Sequence, residues 1–142
     1  RYVSSRAWGP CCTLPAPLEQ AHTYEEEGYA DLWEFPCHGW HENVLKGHNA
    51  TPGRLLLWPP VYPEHQLTGY VETPEEELAV HRFFIDRALE EGLEYVSLIM
   101  HPWSLGRFDP QMRMLGMLLD YVRERGMPLL RFEDLWRRRS GR

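Results

Sequence analysis

Apolar and polar positions change rhythm near the middle of the chain, and the second half carries the clearer pattern. From Thr73 the residues follow a helical repeat, with Leu78, Phe84 (or Ile85), Ala88 and Leu89 falling on one face. Thr73 is a natural N-cap, Pro74 suits the first helical position, and Glu76 completes a capping box. Gly92 is a natural stop. A continuous apolar run, Tyr95-Val96-Ser97-Leu98-Ile99-Met100, then predicts a strand covered on both faces, as in a parallel sheet. The cycle repeats. Asp109 and Pro110 open a second helix striped by Met114, Leu115, Leu118, Leu119 and Val122, and Gly126 closes it. Pro128-Leu129-Leu130-Arg131-Phe132 predicts another strand, and Asp134-Leu135-Trp136 opens a last short helix. Helix and strand alternating at this spacing predict an α/β sheet with right-handed crossovers.

Residues 1–73 read differently, being rich in Pro, Gly, His and Trp. Their apolar runs, such as Leu32-Trp33-Glu34-Phe35 and Leu55-Leu56-Leu57-Trp58, are too short for helices and predict strands feeding long loops. Nothing divides the chain, so 1–142 is read as one domain. The net charge of -6 argues against a nucleic-acid partner, because phosphate binding needs clustered Lys and Arg. The one basic run, Arg137-Arg138-Arg139, suits the end of a helix. No apolar stretch reaches the roughly 18 residues of a membrane span. Three cysteines, two of them the neighbours Cys11 and Cys12, do not form a disulfide framework pattern.

In α/β folds chemistry collects beyond the C-terminal ends of strands. Those ends here carry Arg6-Ala7-Trp8-Gly9, then Pro36-Cys37-His38-Gly39-Trp40-His41-Glu42, then His101-Pro102-Trp103. Each sets an aromatic ring beside a charged or titratable group. Tryptophan faces stack on sugars, and histidine moves protons near neutral pH. A histidine at a strand end often only ties its loop to nearby backbone. His101 stands out because the strand before it is wholly apolar and Pro102 fixes its backbone. His38, His41 and His48, with Cys37 nearby, are zinc-ligand types. Their spacing falls in a Gly-containing loop without a Cys-x-x-Cys pair, so loop histidines that are exposed or hydrogen-bonded are the simpler reading. His22, His65 and His81 stand alone.

Taken in order, Arg6-Ala7-Trp8-Gly9, Phe35-Pro36-Cys37-His38-Gly39-Trp40 and Ser97-Leu98-Ile99-Met100-His101-Pro102-Trp103 resemble the later motifs of the polysaccharide deacetylase superfamily. That group includes chitin, xylan and peptidoglycan deacetylases and allantoinase-like enzymes. The resemblance implies a partial (β/α) barrel of the glycoside hydrolase/deacetylase type, lacking its N-terminal strands. It implies catalytic roles for His101, as the general acid, and for Arg6, which would orient the base. It further implies that Trp8, Trp40, Trp103 and His38 meet the substrate. Trp8 stands where many members have Pro, and Pro36 to Glu42 is not the usual Asp-bearing motif, so either Asp31 or Glu42 could support His101.

The implied activity is hydrolysis of an N-acetyl or related amide C–N bond on a carbohydrate or small amide substrate. The implied cofactor is a divalent metal, zinc first. Family members hold it with an Asp-Asp strand and a His-x-x-x-His segment, and this sequence contains neither. The expectation is therefore that the chain is the C-terminal half of such a barrel, with the metal ligands upstream and none in this chain. Self-association through exposed sheet edges is expected too. The alternative is a non-catalytic carbohydrate-binding domain of the same fold.

Overall fold

A computed structural model describes residues 1–4, 15–47 and 70–141. Three short strands form one sheet in the order β1-β3-β2: β1 is Tyr2–Val3, β2 is His22–Tyr24 and β3 is Tyr29–Glu34. β1 lies parallel to β3, with Tyr2 opposite Trp33 and Val3 opposite Glu34. β2 lies antiparallel to β3, with a bulge between Thr23 and Tyr24. Five helices follow: α1 (Glu42–Leu45), α2 (Pro74–Glu90), α3 (Pro102–Phe108), α4 (Arg113–Glu124) and α5 (Phe132–Ser140). No described helix is long and apolar enough to cross a membrane.

The start of α2 follows the sequence pattern. Thr73 accepts from the Glu76 amide at 3.2 Å, while the Glu76 carboxylate accepts from the Thr73 and Glu72 amides. Gly92, at φ 71°, ends the element. The second predicted helix begins later than Asp109-Pro110. Asp109 is buried and its Oδ2 accepts from the Met114 amide at 2.8 Å, so it caps a helix starting at Arg113 from beyond an intervening turn. A helix the pattern did not predict, α3, begins at Pro102, where proline suits the first turn.

Both predicted strands of the second half differ from expectation, and no closed barrel forms among the described residues. Residues 128–131 join no strand among the described residues, with Leu129 and Leu130 exposed, and Phe132 already belongs to α5. Residues 95–100 form no ladder with other described residues, yet they are aligned by an unusual set of bonds. Tyr95 donates its hydroxyl to the Pro36 carbonyl, the His38 amide donates to Ser97, and the His101 amide donates to Glu42. The bonded residues are 59 apart in sequence in all three cases. A constant offset means that segment 95–101 runs parallel to 36–42. One backbone bond, from the His38 amide to the Ser97 carbonyl, is supplemented by side chains, because the His38 ring takes the Ser97 amide that a ladder would give to a carbonyl.

Aromatic packing fixes this arrangement. Phe35 is fully buried among Tyr2, Trp33, Tyr95 and Phe132, with its ring 5.8 Å from those of Tyr95 and Phe132. A second cluster joins Trp40, Leu45, Val71, Val80 and Phe84, binding α1 to α2. Lys46, directly after α1, forms a buried ion pair with Glu77 of α2, Nζ to Oε1 at 2.8 Å, with His81 close by on α2 and the Phe108 ring beneath the ammonium. A third cluster of Ile85, Leu105, Met114, Leu118 and Tyr121 seats α3 and α4 on α2. Between α2, α4 and the segments 95–100 and 128–131 lies an apolar cleft of about 690 Å³, lined by residues such as Leu98, Leu118, Val122 and Met127.

Gly39 is the pivot between β3 and α1. It sits at φ 75°, and a Cβ there would stand 3.2 Å from the Phe84 ring. Its amide and carbonyl both bond Ala16. Gly39→Ala is therefore expected to cost about 1–2 kcal/mol from the left-handed backbone alone. A urea midpoint unchanged from the parent protein would contradict this.

Candidate functional site

The described residues of chemical interest meet where α1 begins and segment 95–101 ends. Pro102 biases the preceding residue toward extended backbone, and His101 sits at φ -103°, ψ 123° as the N-cap of α3. That conformation turns its amide and its ring toward the same partner. The His101 amide donates to Glu42 Oε1 at 2.9 Å, and His101 Nδ1 lies 2.9 Å from the same oxygen. From the other side His41 Nδ1 lies 3.1 Å from Glu42 Oε2. The two imidazoles stack, with centroids 4.8 Å apart and planes 16° from parallel.

Glu42 is wholly buried. Burial on its own would raise its pKa, but contact with His41 and the amide and ring of His101 outweigh that and bring it from 4.5 down to about 2. The side chain is thus a carboxylate at neutral pH and can only accept hydrogen bonds. His101 must therefore carry a proton on Nδ1, which points Nε2 away from Glu42. No described residue bonds that Nε2. The His101 side chain is 39% exposed, and the Trp103 ring, itself 54% exposed, lies 6.3 Å from it.

The other residues expected at the site divide. Arg6 and Trp8 lie outside the described residues, as does His48. Trp40 is corrected: it is buried in the core with Leu45, Val80 and Phe84, so its faces pack against protein and leave none for a sugar. His38 is corrected as well. Its ring is 1% exposed, with Nδ1 accepting from the Ser97 amide and Nε2 3.0 Å from the Glu19 carbonyl. Burial pushes its imidazole below the ordinary value, against the opposite pull of the Glu19 carbonyl and charge. It is a neutral strut. Cys37 faces the hydroxyls of Ser4 and Ser97, and the His48 of the His38, His41 and His48 zinc grouping lies outside the described residues.

Of the two acids that could have supported His101, the structure brings Glu42. Asp31 lies on β3, where its carbonyl accepts from the Arg1 backbone nitrogen. His41 was not expected to join this pair. Its only signal was adjacency to Glu42 in a loop already rich in histidine. No family model, curated protein or solved structure matches the chain.

The Glu42 carboxylate gives the fold a pH dependence whose sign follows from its lowered pKa. Its stabilising contribution is complete above about pH 4.5 and is lost as pH falls toward about 2. The size is on the order of 3 kcal/mol. Glu42→Gln should flatten the acid limb of stability against pH in that window. A limb of unchanged slope in urea melts from pH 5 to pH 2 would show that the carboxylate is not held as described.

Proposed function

We propose that His101 and Glu42 form the proton-delivering half of a hydrolase site acting on an N-acetyl or related amide C–N bond, as the resemblance to polysaccharide deacetylases implies. The observation that carries this reading is the 2.9 Å contact between His101 Nδ1 and a buried carboxylate, which leaves the outer nitrogen turned away from the protein partner. In the protonated ring, Nε2–H is the proton handed to the departing amine nitrogen as its bond to the acyl carbon breaks. The ring is then neutral, and Glu42 has held its orientation and tautomer throughout.

The metal implied by the resemblance has no Asp-Asp or His-x-x-x-His donors in this sequence, and the one donor cluster among the described residues, His41, Glu42 and His101, is not that ligand set.

A second reading, a carbohydrate-binding module without catalysis, draws on Trp103, whose half-exposed ring could stack on a sugar whether or not His101 acts. The two readings separate on one variant. In the natural gene product carrying this chain, His101→Ala is expected to lower acetate release from N-acetylated oligosaccharides by about 10²–10⁴-fold, with oligosaccharide binding retained. Undiminished acetate release would end the catalytic reading. Trp103→Ala is expected to raise KM with kcat little changed. A KM equal to the parent's would remove the tryptophan from the substrate's path.

A further inference from the structure

We infer that His41, Glu42 and His101 form a binding site for a divalent cation of the zinc class. One ring nitrogen from each histidine and one carboxylate oxygen all lie within 4.8 Å of one another. Tetrahedral zinc, with bonds of about 2.0–2.1 Å, needs donor atoms roughly 3.3 Å apart. The two Glu42–histidine contacts run to different oxygens, 2.9 Å from His101 Nδ1 to Oε1 and 3.1 Å from His41 Nδ1 to Oε2, and each is within a few tenths of an ångström of that spacing. To close on one ion the carboxylate must turn one oxygen toward both rings and the stacked imidazoles must tilt toward each other, and His101, on the open side, is the ring with room to do so.

The donor types narrow the ion. Two imidazoles and one carboxylate suit zinc, copper or nickel, whereas calcium and magnesium call for oxygen ligands throughout. Each neutral imidazole can shift its proton to its other nitrogen and present Nδ1 to a metal. The carboxylate is already oriented by a group that is not a ligand, the His101 amide at 2.9 Å, which is the outer support that metal-binding carboxylates use. Three protein ligands leave a fourth position for water, and the exposed edge of His101 supplies the entry path.

Binding itself does not rest on the function proposed for His101. One consequence does, since an ion on Nδ1 takes the atom through which Glu42 holds that ring, so excess metal should suppress turnover. The test is direct uptake. Chain stripped with chelator is titrated with Zn²⁺ in a calorimeter, and separately with Co²⁺ while the visible absorption of a tetrahedral site is followed. One ion per chain is expected, lost in His101→Ala and His41→Ala and retained in His22→Ala, with circular dichroism unchanged. Absence of uptake by the parent chain, or uptake that survives His101→Ala, overturns the site. Should His41→Ala unfold, the exposed position 101 decides alone. Failure of the catalytic reading would appear in acetate release and would leave these titrations unaltered.

Discussion

A carboxylate removed from water must recover by hydrogen bonding what it loses in solvation, and Glu42 does so with groups drawn from two distant parts of the chain. His41 precedes it, and His101 supplies both an amide and a ring from the far side of α2. The result is that one buried negative charge decides three things together. It sets the seam between 36–42 and 95–101, the direction in which His101 faces, and the tautomer that His101 adopts. Replacing this carboxylate with a neutral group of the same shape would leave the packing nearly intact and remove the instruction. The nearby Lys46–Glu77 pair is a different case. Buried ion pairs of that kind contribute little net stability compared with apolar residues of equal volume, and their value lies in fixing how α1 meets α2.

The proposed proton donor, His101 with Glu42, lies within the proposed cation site, which adds His41. This overlap has a physical basis. An anion surrounded by ring nitrogens is an equally good place for protons or for a soft dication, and which one occupies it depends on what else the solution offers. A site of this kind is poised between two occupants by its composition.

Much of the second half was legible from local chemistry. The capping box at Thr73 and Glu76, the stop at Gly92 and the stripe of α4 through Met114 and Leu118 depend on neighbours within a turn or two, and they appear as expected. The predicted strands were not legible in the same sense. An apolar run such as 95–100 reports that it is covered, but nothing in its periodicity reports whether backbone or side chains do the pairing, and here the His38 ring intervenes. Trp40 and His38 misled for a related reason. Both residue types serve cores as readily as sites, and the choice is made by Phe84, Val80 and Ser97, which lie far away in sequence. Pro102 did set the extended backbone of His101, while the partnership with Glu42 required knowledge of a 59-residue return that no local rule contains.

That same separation bears on the order in which the molecule is made. Loops of this length close late, because the chain's entropy resists the closure until other contacts reward it. α2 carries its own start and stop signals, whereas Glu42 gains the amide and ring of His101 only when the chain has returned across 59 residues. The buried carboxylate is thus left without those partners in any form in which that return is open.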